Sequence, residues 1–172
     1  MSLSLCPEWV FDDFSAVTPD FLGSMGVTLL LTDLDFTLAP KKVPEPDEAV
    51  KRWLAALREA GIEVVILSNN RNPRRVKRYC EGLGIDYVGH AGKPYKKSYR
   101  LAMERHGRTA AQTAMLGDKL LTDCLGAHRS ELPMLMVEPK GGALGPWQKV
   151  LYVLQEPFKR VSGHDMRKKM KK

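Results

Sequence analysis

The sequence predicts an α/β fold, a single open parallel sheet in three layers with helices on both faces. Three observations point to it. Strand-like and helix-like stretches alternate along the chain, which favours right-handed crossovers between parallel strands. The strand-like stretches at 27–32 and 63–67 are continuous apolar runs, as expected of strands covered on both sides. Short polar segments follow four of the strands, and ligands of such sheets bind outside the carboxyl ends of the strands.

Each element has a local reason. After strand 27–32, residues 46–60 place Ala49, Val50, Trp53, Leu54 and Leu57 on one helical face, and Gly61 stops the helix. Strand 63–67 is followed by Asn72, a helix cap with Pro73 at the first position, and a helix to about residue 81. A short strand is predicted at 87–90 and a helix at 95–105. Thr109 and Gln112 have the spacing of a capping box that opens a single turn. Strand 113–116, helix 120–128, strand 134–137 and a helix from 147 to 154, running on into the basic end, complete the series. Ahead of the first strand, Trp9, Val10, Phe11, Phe14, Phe21 and Leu22 suggest two short amphipathic helices packed on the sheet, a leader over residues 1–26.

At 172 residues the chain suits one sizeable core. We read residues 1–158 as a single domain and 159–172 as a basic tail. The net charge is +7, yet seven Lys/Arg and one Asp fall in the tail, so the rest is nearly balanced. Such a tail suits either contact with an anionic surface or a solvated end. No apolar run is long enough to span a membrane, and no signal peptide is apparent at the start. Three scattered cysteines, without a C-x-x-C, indicate neither disulfides nor zinc and fit a reducing cytosol. The expected location is cytoplasmic, with peripheral contact on the inner face of the membrane. The sequence sets no oligomeric state.

The polar segments carry the chemistry. Asp33 and Asp35 flank Leu34 at the end of the first strand, where a turn can bring both carboxylates to one place. An aspartate can attack phosphorus, and a second carboxyl can protonate the leaving oxygen. Ser68 offers a hydroxyl and Lys93 an ammonium to a phosphate, with Asn69 beside Ser68. Mg²⁺ takes oxygen ligands, which Asp33 and Asp118 fit, with Asp123 binding directly or through water. Taken singly, each segment has a plain structural explanation: a turn, a helix cap or an exposed loop. Their placement at successive strand ends makes them one set.

That set resembles the haloacid dehalogenase superfamily of phosphohydrolases. Asp33-Leu-Asp-Phe-Thr37 is similar to its first motif, Ser68 to its second, Lys93 to its third, and Gly117-Asp118 with Thr122-Asp123 to its fourth. The resemblance implies a Rossmann-like core with Asp33 as nucleophile and Asp35 as acid/base. It also implies Mg²⁺ held by Asp33, Asp118, Asp123 and the Asp35 main-chain carbonyl, and a loop ordered by Thr37. Over nearly the whole chain the sequence looks like the small bacterial YqeG-type, class-III phosphatases related to phosphatidylglycerophosphate phosphatase. Phe36 departs from the pattern, since the family commonly has Asn there.

Members of the superfamily often carry a cap domain after the first or second motif. About ten residues separate Asp35 from the first long helix, and the 24 residues between Ser68 and Lys93 fill one helix and one strand, so no cap fits. An open site suits a bulky phosphate ester. Arg71, Arg74, Arg75, Lys77 and Arg78, with Lys96, Lys97 and Arg100, would form a basic rim. The expected substrate is phosphatidylglycerophosphate. The alternatives are a soluble sugar phosphate, a nucleotide or a nucleic-acid 3′-phosphate, and, from another class, an idle domain that binds a partner. Nucleic acid is disfavoured because only Tyr79, Tyr95 and Tyr99 stand among the basic residues and no reader module is present.

Overall fold

Residues 4–141 and 145–167 are described by a computed structural model. Seven strands form its sheet: β1 (Trp9–Phe11), β2 (Leu29–Thr32), β3 (Glu63–Ser68), β4 (Asp86–Gly89), β5 (Thr113–Gly117), β6 (Met134–Val137) and β7 (His164–Asp165). Their order is β4-β3-β2-β5-β6-β1-β7, and every pairing is parallel. The chain first runs outward from β2 through β3 and β4, then returns to β5 on the other side of β2. The carboxyl ends of β2 and β5 therefore border the crevice where the strand order reverses.

Alternation along the strands divides the core between two faces. Leu30, Ile66 and Leu116 face α2 (Glu48–Glu59) and α3 (Pro73–Glu81), where Val50, Trp53, Leu57, Val76 and Tyr79 are buried. Leu29, Leu31, Val65 and Met115 face α4 (Lys96–Arg105) and α5 (Leu125–Arg129), packing with Tyr99, Ala102 and Ala127. The cap expected at Asn72 forms, accepting from the Arg75 amide at 3.2 Å, and Asp47 caps α2 in the same way, accepting from the Val50 amide at 2.9 Å. No further domain is inserted between β2 and α2 or between β3 and α4, so the three-layer reading without a cap holds.

Three expectations need correction. The leader is not a pair of helices. Trp9–Phe11 is a strand paired with β6 and β7, followed by a 3₁₀ turn at Phe14–Ala16 and one helix, α1 (Pro19–Ser24). The aromatic and β-branched residues of the Trp-Val-Phe run suit a half-covered strand better than a helix. Leu120–Cys124 forms a wider π-type turn before α5. The last helix, α6 (Pro146–Arg160), crosses the boundary expected at residue 158. Lys159 is buried and pairs with Glu138 at 2.9 Å, and Arg167 pairs with Glu156 at 3.2 Å and with Asp165 at 2.9 Å. Those two cations of the expected tail are thus neutralised against the body, while residues 168–172 lie outside the described part. Among the described residues no helix is long and apolar enough to cross a membrane.

Candidate active site

The site begins where β2 ends. The Asp33 amide donates to Leu116 O at 2.9 Å, carrying the β2–β5 pairing one residue past the strand. The chain then turns tightly: the amides of Thr37, Leu38 and Ala39 all donate to Leu34 O, and that of Phe36 donates to Ala39 O at 2.8 Å. Phe36 has φ of 68°, the left-handed region that most side chains avoid. This is why an Asn is the easier residue here. The turn brings Asp33 and Asp35 to one cleft of about 680 Å³, whose walls include Phe36, Asn69, Lys93 and Lys119.

Lys93 is the hub of one side of the cleft. Its ammonium is buried, 2.6 Å from Asp33 Oδ1 and 2.7 Å from Asp123 Oδ1. The Asn69 amide clamps its main chain: Nδ2 donates to Lys93 O and Oδ1 accepts from Lys93 N, both at 3.0 Å. The Asn69 side chain, expected on the phosphate, is therefore committed to positioning Lys93. Ser68 Oγ accepts from the Asn70 amide at 3.1 Å, which leaves its own proton to donate. Burial pushes the Asp33 carboxyl up, but Lys93 and then Lys119 outweigh it and hold it below the usual range. Asp33 is thus an anion at neutral pH, the form a nucleophile needs. Burial also works against the Lys93 charge, yet Asp123 and Asp33 push its pKa above the ordinary value.

On the other side lies an acidic cluster. Asp33, Asp118 and Asp123 each place a carboxylate oxygen within 4.8 Å of the others, and all three are buried. Gly117 makes room for it: a Cβ there would lie 2.6 Å from Asp123 Cβ, Cγ and Oδ2. Asp118 Oδ1 accepts from Thr37 Oγ1 at 3.2 Å and from Lys119 Nζ at 2.9 Å, and Oδ2 accepts from Tyr152 OH at 2.7 Å. Thr37 thereby ties the β2 loop to Asp118. Burial first, then the Asp33 and Asp123 charges, push Asp118 up to about 6 against the pull of Lys119. Burial also raises Asp123, against the opposing Lys93.

These residues fit a hard divalent cation. The donors are all oxygen, they converge, and their mutual repulsion is what a cation relieves. Asp33, Asp118 and the Asp35 carbonyl would hold it, with Asp123 beside them. Lys119 Nζ contacts both the Asp35 carbonyl, at 3.4 Å, and Asp118 Oδ1, at 2.9 Å.

Asp35 is gripped by Arg75 (Nη1 to Oδ1, 2.7 Å) and by Asn70 (Nδ2 to Oδ2, 2.6 Å). Arg75 was foreseen only as one of many rim cations. The rim is smaller than expected: Lys41 and Arg71 stand at the cleft, whereas Lys96, Lys97 and Arg100 lie outside its walls. Sequence reasoning also missed Lys119 and the polar side of α6, where Tyr152 meets Asp118 and Gln155 bonds both Leu120 N and Asp118 O. The signal was present, since Gln148, Tyr152, Gln155 and Lys159 recur at helical spacing.

A buried, lysine-paired aspartate beside a carboxylate cluster, all at the carboxyl edge of a parallel sheet, fits a phosphate-ester-type hydrolase site. The chain belongs to the haloacid dehalogenase-like hydrolase family, whose model matches residues 13–130. It is 36% identical over 139 residues to the Bacillus subtilis (strain 168) protein named probable phosphatase YqeG, covering 81% of this chain and 80% of that one. Solved structures share the fold at lower identity. A cobalt-bound deoxy-D-mannose-octulosonate 8-phosphate phosphatase from Haemophilus influenzae has a TM-score of 0.52 at 17% identity, covering 77% of this chain and 91% of that one. A Xanthomonas campestris protein has a TM-score of 0.56 at 20% identity, covering 91% and 82%.

Proposed function

We propose that this hydrolase is a Mg²⁺-dependent phosphomonoesterase that works through an aspartyl-phosphate on Asp33, with phosphatidylglycerophosphate as substrate at the cytoplasmic face of a membrane. The observation that carries the chemistry is the Asp33 carboxylate, held ionised by Lys93 at 2.6 Å within the Asp118–Asp123 cluster. An Asp33 oxygen attacks phosphorus as the bond to the leaving oxygen breaks. Asp35, released from Arg75 and protonated, gives its proton to that oxygen. A water then attacks the phosphorus of the acyl phosphate, Asp35 takes the water's proton, and Asp33 is restored. Lys93 and Ser68 hold the phosphoryl oxygens throughout. Bound Mg²⁺ supplies charge neutralisation to those oxygens.

The lipid reading draws support from the open cleft, the cationic Lys41 and Arg71 at its mouth, and the net charge of +7. It is tested by Mg²⁺-dependent phosphate release from phosphatidylglycerophosphate in mixed micelles, beside a panel of soluble phosphate esters, with Asp33→Asn as control. Preference for the lipid, lost in the variant, is expected. Equal or faster turnover of a soluble ester would move the substrate to that class and leave the chemistry standing.

A further inference from the structure

Helix α6 is amphipathic with the usual sense inverted. Its polar side faces the body, through Tyr152 to Asp118, Gln155 to Leu120 and Asp118, and Lys159 to Glu138. Its apolar side faces outward. Trp147, Val150, Val153, Leu154 and Phe158, with Val161 just past the last turn, are all exposed, Trp147 by 70% and Leu154 by 61%. At 3.6 residues per turn these positions form one continuous stripe. A surface helix ordinarily buries such a stripe, and an exposed apolar patch of this kind marks an interaction face.

We infer that the outer face of α6 docks this protein onto a bilayer carrying anionic headgroups. Charge selects that occupant. Lys149 and Arg160 are exposed along one border of the stripe, Arg160 with its Nε 3.4 Å from Glu156 Oε1. Arg167, held 3.2 Å from Glu156 of α6, leads directly into Lys168, Lys169, Met170, Lys171 and Lys172, so four more cations follow from a point beside the helix. Apolar Trp, Leu and Phe beside a cationic border is the pattern of a helix that lies in a membrane interface. A two-fold contact between copies is disfavoured by the same charges, since pairing the stripe with itself would bring the Lys149 and Arg160 cations of the two copies together. The position is also apt. Gln148, next to Trp147, lines the catalytic cleft, so a surface under α6 lies at the cleft's edge. This inference deepens the lipid-phosphate reading and rests on it for the source of the substrate.

The test is co-sedimentation of the full chain with vesicles at 150 mM salt, comparing phosphatidylcholine alone with phosphatidylcholine plus about 30% phosphatidylglycerol. Binding to the anionic vesicles only is expected. Val150→Glu with Leu154→Glu should lower the partition coefficient at least tenfold while leaving hydrolysis of soluble p-nitrophenyl phosphate unchanged. Val153→Ser with Val161→Ser shrinks the stripe without adding charge, and should weaken binding in the same sense. Absence of wild-type binding, or equal binding by both double variants, overturns the inference. So does a wild-type dimer that ignores vesicles and becomes a monomer in Val150→Glu/Leu154→Glu, which would make the stripe a self-association face. Turnover of phosphatidylglycerophosphate in detergent without vesicle binding would sink the docking and keep the substrate. Vesicle binding without that turnover would do the reverse.

Discussion

Lys119 Nζ lies 2.9 Å from Asp118 Oδ1, with Asp33 Oδ2 at 3.7 Å and the Asp35 carbonyl oxygen at 3.4 Å. An ammonium thus stands among the same oxygens that would hold a divalent cation. Burial acts against its charge, but Asp33, Asp118 and Asp123 together push its pKa well above the ordinary lysine value. Lys119→Gln removes a resident competitor, so it should bind Mg²⁺ about tenfold more tightly in calorimetry, a difference of about 1.4 kcal/mol. The metal-free variant should melt earlier than wild type, because Asp118 and Asp33 lose a counter-charge.

The Lys93 contacts predict a coupling. Lys93→Met leaves Asp33 and Asp123 buried without their shared cation and should cost about 3–5 kcal/mol in denaturant unfolding. Asp33→Asn should abolish turnover with a much smaller stability loss. Adding Asp33→Asn to Lys93→Met should recover part of the lost stability, since one unpaired charge is removed.

Gly117→Ala should disturb metal binding from outside the ligand set. Its Cβ would sit 2.6 Å from the Asp123 carboxylate and its Cβ, with Asp123 already fixed by Lys93 and the Lys119 amide. A destabilisation of about 1–3 kcal/mol is expected from the overpacking, together with weaker Mg²⁺ binding. A variant with unchanged affinity would show that Asp123 can move without loss.

Much of the site was legible because its groups are written in residue type and placed at strand ends. Asp33, Asp35, Ser68, Lys93, Asp118 and Asp123 needed only an approximate strand assignment. What escaped depended on direction rather than type. Arg75 stands among five cations in eight residues, and nothing in the pattern singles out the one that reaches Asp35. The α6 sequence shows an amphipathic helix but does not say which side meets the body, and apolar-inward is the ordinary rule that this helix breaks. The strand Trp9–Phe11 is only three residues long, too short for its period to be read.

His128 joins the first described residues to α5. Its pKa is raised to about 11 from 6.5, chiefly by the Cys124 thiol and then by the Glu8 carboxylate. A raised value means that the stabilisation is complete below pH 6.5 and is lost as pH climbs toward 11. With Glu8 half exposed, about 1 kcal/mol should disappear between pH 7 and 9, lowering the melting temperature by about 2–4 °C. His128→Gln should melt with little change over the same interval.

Magnesium should stabilise the fold through the same carboxylates. At about 100 times its dissociation constant the gain is about 2.7 kcal/mol, visible as a higher melting temperature. Asp118→Asn should remove that response by deleting one of the three converging carboxylates.

In the proposed mechanism Asp33, and not Asp35, becomes covalently phosphorylated. The direct measurement is an acid quench during turnover of p-nitrophenyl phosphate, reduction with borohydride, and tandem mass spectrometry of the peptide holding both residues. An acyl phosphate is reduced to homoserine, so homoserine is expected at position 33 alone and none in Asp33→Asn. Homoserine at position 35, or steady turnover with neither residue reduced, would contradict it.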